Sequence, residues 1–260
     1  MPEADLALLV EAAKTAGEIA QRHFVGSRAA RQKPGDQGPV TDADIEVDET
    51  LKTMLLAARP DYGWLSEESE DSTDRLGRKR VFVVDPIDGT RAFVEGGNAW
   101  GHSLAVVEDG RPVAAVVHMP RLERMYCAQD GAGATCNGQP IRSSHCGDLS
   151  GARVLVTSSQ LDPRFWPGGV PTLERHFRSS IAYRMCLAAE GRFDGMITFR
   201  DTWNWDIAAG ALIASEAGAM VTDRRGEALI FNKEMPTSPG VFVAGKPLHR
   251  QILDKALTRT

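Results

Sequence analysis

Leu6, Leu9, Val10, Ala13, Ala16, Ala20 and Phe24 recur at steps near 3.6 between Asp5 and Phe24. That period predicts an amphipathic helix, with Glu11, Lys14, Glu18 and Arg22 on much of its other face. From Gly26 to Pro39 the pattern gives way to Gly, Arg, Lys and Pro, a loop expected to be the most mobile part of the chain. Thr41 opens a second helix through Ile45, Leu51, Met54 and Leu55. Thr41-Asp42-Ala43-Asp44 has the spacing of a capping box, with Asp in place of Glu. The period then shortens. Tyr62 to Leu65 and Val81 to Val84 are short apolar runs, the second a buried strand. Runs at His102–Glu108 and Val113–Met119 flank Asp109-Gly110-Arg111-Pro112, a hairpin signal. Arg124–Ala128 and Ala134–Ile141 continue the β pattern. Gly131-Ala132-Gly133 lacks the strand-to-helix setting of a phosphate loop and is read as hairpin glycines.

Small and polar residues from Ser143 to Gly151 mark a boundary, which divides the chain into 1–145 and 146–260. Beyond it the elements alternate. Strands are expected at Val154–Thr157, Asp194–Phe199, Ala219–Thr222 and Val241–Ala244, and helices at Ile181–Glu190, Asp206–Gly218 and Leu248–Leu257. Pro163–Pro171 reads as a loop. Pattern alone gives a mixed α and β protein, with helices and a meander first and α/β alternation second.

Composition narrows the function classes more than the fold. The chain has 260 residues, 42% hydrophobic and 25% charged, an ordinary globular balance. A net charge of −5 with no basic tract argues against a nucleic-acid polymer as partner. Cys127, Cys136, Cys146 and Cys186 form no CxxC pair, as expected of a reduced, cytoplasmic protein. The histidines accompany no nucleophile pattern and are read as structural or surface residues. No basic leader precedes the first helix, and no apolar run approaches about 18 residues, so no membrane association is expected.

Candidate chemistry sits in Val81 to Phe93, VFVVDPIDGTRAF. The apolar strand runs into Asp85, then Pro86, which forbids normal continuation of a central ladder, then Asp88. Two carboxylates at the end of an apolar strand are costly unless a cation neutralises them. Gly89 and Thr90 open a helix, whose first N–H groups attract anions. Alone, the stretch reads equally well as strand, turn and capped helix. Two further acidic elements change that balance: Ser66-Glu67-Glu68-Ser69, after an apolar run, and Trp205-Asp206-Ile207-Ala208-Ala209-Gly210, with its acid at the mouth of an apolar helix.

WLSEES, DPIDGTRAF and WDIAAG, in this order, resemble the signature motifs of the inositol monophosphatase family, magnesium-dependent and lithium-sensitive phosphomonoesterases. The resemblance covers nearly the whole chain. It implies an α/β fold with α+β character, a layered αβαβα sandwich of the inositol monophosphatase and fructose-bisphosphatase type, assembled as a homodimer. It implies two or three Mg²⁺ held by Glu67, Asp85, the Ile87 carbonyl, Asp88 and Asp206, with phosphate on the N–H groups of Gly89 and Thr90. Thr90 and Asp44 match the pair that activates water, with Glu67 near it, while composition alone leaves Asp44 as a helix cap. Lys33 matches a loop lysine that reaches towards the metals. The leaving-group pocket maps to Ser180, Arg184, Asp201 and Asn204. The activity implied is hydrolysis of a small phosphorylated substrate such as inositol monophosphate. Phe199 stands where animal inositol monophosphatases carry an acid, and Arg184 with Trp203 suits a bisphosphonucleotide. The alternatives are therefore a 3'(2'),5'-bisphosphate nucleotidase, a histidinol-phosphate phosphatase, and a silent binding module that retains the fold.

Overall fold

The computed structural model describes residues 2–26, 29–33 and 38–256. Helix α1 spans Pro2–Val25. Strands β1 (Ala30–Gln32) and β2 (Pro39–Thr41) pair antiparallel within the segment expected to be a loop. The expected loop composition at residues 27–28 and 34–37 lies outside the described residues. Helix α2 spans Asp42–Ala58. Its N-cap is Thr41, and the capping box with Asp44 is complete in both directions.

A seven-stranded sheet follows in chain order: β3 (Gly63–Ser66), β4 (Arg80–Asp88), β5 (Gly101–Glu108), β6 (Arg111–Met119), β7 (Arg124–Gln129), β8 (Gly133–Cys136) and β9 (Gln139–Pro140). Only β3 and β4 run parallel; the rest is a meander. Helix α3 (Thr90–Val94) leaves the end of β4. Strand β4 continues through Pro86 to Asp88, further than the proline rule allows for a regular ladder. It does so because its register with β5 shifts between Asp85 and Asp88.

The second half adds β10 (Arg153–Leu155), β11 (Glu174–His176), helix α4 (Ile181–Ala189), β12 (Gly195–Thr198), β13 (Thr202–Trp203), helix α5 (Asn204–Glu216), β14 (Met220–Thr222), β15 (Thr237–Ser238), β16 (Val241–Ala244) and helix α6 (Lys246–Ala256). Its sheet has the order β11-β10-β12-β16-β14, and β13 pairs with β15 apart from it. The short strands β11, β13 and β15 carry too little apolar pattern to be seen in the sequence.

Alternation along the strands builds the layers. Phe82, Val84, Leu104, Val106, Ala114 and Val116 face α1 and α2 through Leu9, Ala16, Val47 and Leu51. Val81, Val83, Ala105, Val107, Ala115 and Val117 face the other way, into a core shared with α4, α5 and the near face of the second sheet. Val154, Ile197 and Phe242 on the far face pack under Leu248 and Ile252 of α6. The order is helices, sheet, helices, sheet, helix, the expected αβαβα sandwich. Helix α5 lies between two sheets, so its apolar residues surround it with no polar stripe. Gly210 lets α4 and α5 close up; a Cβ there would come within 2.8 Å of Met185.

Candidate active site

Parallel pairing of β3 with β4 sets Ser66 opposite Val84, so Glu67 and Asp85 emerge side by side. The Glu67 amide donates to the Val84 carbonyl at 3.3 Å, which carries the pairing one step past the strand. The Ser103 hydroxyl of β5 donates to the Trp205 carbonyl at 2.9 Å and docks the first turn of α5, where Asp206 sits. Glu67, Asp85 and Asp206 thereby bring one carboxylate oxygen each within 4.8 Å of one another. They line a cleft of about 490 Å³ with Ile87, Asp88, Gly89 and Thr90.

The cluster is electrostatically incomplete among the described residues. Asp85 is 2% exposed, and its Oδ1 is buried with no hydrogen-bond partner. Burial, then the charges of Glu67, Asp88 and Asp206, push its carboxyl well above the usual range. Burial, then Asp88 and Glu67, do the same to Asp206, against the pull of Arg184. Several carboxylates this close ionise together only when a cation joins them. Hard oxygen donors with an orphaned buried oxygen suit a hard divalent ion such as Mg²⁺. The residues therefore fit the metal.

Asp88 lines the same cleft, but protein donors already hold its carboxylate. Ser180 Oγ and the Ala182 amide donate to it at 2.6 Å, and the Ile181 amide at 3.2 Å. It serves as an anion at the head of α4. Burial raises its pKa, against those three donors and the Arg184 charge.

Asp44 is 1% exposed and faces two ways. Its Oδ2 accepts from the Thr41 amide at 2.7 Å and from the Thr41 hydroxyl. Its Oδ1 lies 3.2 Å from the Thr90 hydroxyl, which is also 3.0 Å from the Ile87 carbonyl. One carboxylate thus occupies both positions that the sequence left as alternatives. Burial first, then the Glu67 charge, outweigh the Thr41 and Thr90 hydrogen bonds and push its pKa up to about 6. Gly89 has φ 98°, and a Cβ there would come 2.9 Å from the Ala99 carbonyl, so only glycine makes the turn into α3.

Lys33 donates to Glu67 at 2.8 Å and to Glu68 at 2.6 Å. It thus sits on the acidic cluster. Burial, then the neighbouring Glu67, push Glu68 up to about 7.

The expected leaving-group residues divide. Arg184 lines the cleft and is 5% exposed. Its guanidinium lies over the Phe177 ring at 5.4 Å, and burial pushes its pKa down to about 10. The other three do not reach the cleft as expected. Ser180 is fully buried, donating to Asp88 and accepting from the Tyr183 amide at 2.9 Å, so its hydroxyl holds α4 and not a substrate. Asp201 points outward to Arg224 at 3.2 Å. Asn204 is fully buried, and its Oδ1 accepts from the Asn232 amide at 3.2 Å. In their place Arg200, Phe177 and Ser159 line the cleft. No local motif marked these three; they come from connections whose sequence shows no period.

The inositol monophosphatase family model matches residues 1–259. A histidinol-phosphatase of Chlorobaculum parvum is 31% identical, over 96% of this chain and 95% of its own. A 3'(2'),5'-bisphosphate nucleotidase CysQ of Salmonella typhimurium is also 31% identical, over 89% of this chain and 96% of its own. The solved IMPase of Thermotoga maritima superposes with a TM-score of 0.81 at 27% identity, covering 98% of this chain and 96% of that one.

Proposed function

The chain belongs to the inositol monophosphatase family and is a phosphatase, and from that premise we propose that it hydrolyses a small phosphate monoester, inositol monophosphate being the lead substrate, with Mg²⁺ as cofactor. The observation that carries the metal reading is the orphaned Asp85 Oδ1 beside Glu67 and Asp206. Glu67, Asp85, the Ile87 carbonyl, Asp88 and Asp206 would hold two or three ions. When bound, such ions supply neutralisation of the phosphate oxygens, a nucleophile at neutral pH and relief of charge on the leaving oxygen.

The chain's own groups account for the rest of the reaction. The Thr90 hydroxyl spends its hydrogen on Asp44 or the Ile87 carbonyl, and its free lone pair accepts from the attacking water. Asp44, bonded to that hydroxyl and raised by burial and the Glu67 charge, is placed to take the proton through Thr90. The amides of Gly89 and Thr90 bind the phosphate. Lys33 balances Glu67 and Glu68 until substrate and cations arrive.

A specific observation favours the second reading, a 3'(2'),5'-bisphosphate nucleotidase. Arg184 and Arg200 face the cleft with no ion pair among the described residues, beside Phe177, which is 44% exposed. Two guanidiniums and an aromatic face suit a second phosphate and a base. Phosphate release from inositol phosphates, bisphosphonucleotides, histidinol phosphate and fructose bisphosphate, with and without Mg²⁺, separates the readings. Binding without turnover throughout would overturn both. Lithium inhibition, a homodimer by light scattering and a cytoplasmic location complete the proposal. No helix among the described residues is long and apolar enough to cross a membrane.

A further inference from the structure

Two residues three apart in an unbroken strand face opposite sides of the sheet. Asp85 and Asp88 nevertheless line one cleft. The register explains it. Asp85 pairs with Ser103 and Asp88 with Gly101, so Pro86 and Ile87 together oppose the single residue His102. This is a two-against-one bulge, a device that re-aims side chains. It leaves Pro86 with neither an N–H nor a ladder partner for its carbonyl.

The residue opposite the bulge supplies the missing donor. His102 is fully buried, and its Nδ1 is hydrogen-bonded to the Pro86 carbonyl. A carbonyl only accepts, so Nδ1 carries the hydrogen. Nε2 is buried with no partner, in keeping with a ring chosen for one bond. The ring is braced by Trp100 edge-on at 6.0 Å and by His118 at 5.9 Å. His118, its partner on β6, is itself bonded through Nδ1 to the Ala13 carbonyl of α1 at 2.9 Å. Burial pushes the His102 pKa down to about 3, which keeps the imidazole neutral.

We propose that His102 is a positioning residue for the metal centre: its Nδ1–H clamps the Pro86 carbonyl and fixes the bulge that turns Asp85, Ile87 and Asp88 into one cleft. The inference rests on the reading of these three as cation ligands. It extends that reading to a residue that touches neither substrate nor ion and lies outside the motifs.

The test compares His102→Leu, which fills similar space without a donor, with His102→Asn, whose amide nitrogen stands near the place of Nδ1. Calorimetric titration of metal-free protein with Mg²⁺ should show Kd raised about tenfold or more in the Leu variant, as for partners that orient ligands, and mostly restored in the Asn variant. KM for substrate at saturating Mg²⁺ should stay within about twofold of the parent, since nothing contacting substrate is changed. A Leu variant that binds Mg²⁺ as the parent does, or an Asn variant no better than Leu, overturns the clamp. Should His102→Leu fail to fold, imidazole nitrogen NMR on the unaltered protein decides. An Nδ1–H tautomer protected from exchange between about pH 6 and pH 8 supports the clamp, and an Nε2–H tautomer or an imidazolium overturns it. If the unaltered protein takes up no Mg²⁺, the ligand reading falls, and the role of His102 at the metal centre falls with it, whatever the tautomer.

Discussion

Replacing Asp44 by Asn separates its two roles, because the amide can serve the helix cap but cannot take a proton. The amide oxygen at the Oδ2 position accepts from the Thr41 amide and hydroxyl. The NH₂ at the Oδ1 position then donates to the Thr90 oxygen, whose own hydrogen turns to the Ile87 carbonyl at 3.0 Å. No buried group loses its partner. The electrostatic balance improves in the metal-free protein. The folded-state pKa is raised from 3.8 to about 6, so Asp44 favours folding most when protonated, below 3.8, and that contribution is lost as pH rises through about 6. At about 1.36 kcal/mol per pH unit, the ionised group costs about 3 kcal/mol at pH 8. Asn avoids this cost and gives up about 1 kcal/mol in weaker hydrogen bonds. Without metal at pH 8 the variant should therefore be the more stable by about 2 kcal/mol, some 4–8 °C in Tm for a chain of this size. Below pH 4 the advantage should vanish. With saturating Mg²⁺ and substrate, kcat should fall roughly 10²–10⁴-fold, the usual share of a positioned base. Thr90→Ala should fall similarly, and the double variant little further, as for groups acting as a unit. Calorimetric melting in chelator across this pH range, with phosphate release for kcat, makes both readings. An Asn variant with full kcat that melts lower at every pH would refute the base and leave only the cap.

Asp85→Asn should abolish Mg²⁺ uptake by calorimetry and raise the metal-free Tm at pH 8, since it removes a buried carboxylate with an orphaned oxygen. Asp88→Asn and Asp206→Asn should weaken the same ion, with steep losses of activity partly rescued by excess Mg²⁺; a titration that neither changes rejects the ligand assignment. Arg184→Met should raise KM for a bisphosphonucleotide about 10–100-fold, the value of a charged hydrogen bond, and leave inositol monophosphate nearly unaffected. Equal losses on both would place Arg184 on the scissile phosphate. Lys33→Ala should lower the half-saturating Mg²⁺ concentration, because it takes a cation off Glu67, and an unchanged Mg²⁺ dependence would show that Lys33 does not compete there.

The parts of this site visible in the sequence are those whose chemistry is local. Glu67, Asp85 and Asp206 each stand where an apolar run meets an acid, which makes them candidates by burial cost, and the three motifs taken together give them a role as ligands. The helices α1 and α2 are long enough for their period to declare itself, whereas α5 is apolar all round, and the layered sandwich is implied by the family motifs and not by periodicity. Ser180, Asp201 and Asn204 are expected in the cleft through the family resemblance, which maps the leaving-group pocket onto them. Their destinations depend on Asp88, Arg224 and Asn232, contacts 92, 23 and 28 residues away. The same holds for His102. In the sequence it is one histidine within a strand pattern, and nothing nearby distinguishes it from His118. Only the register of β4 against β5 shows that one residue faces two, and that a proline carbonyl there needs a donor. Pro86 was legible as a break in the ladder, but a break can end a strand or bulge it. With α3 beginning at Thr90 and β5 bonded along the whole of β4, ending the strand at Asp85 would strip its last buried groups of partners. The bulge keeps that pairing, and two carboxylates three residues apart then line one cleft.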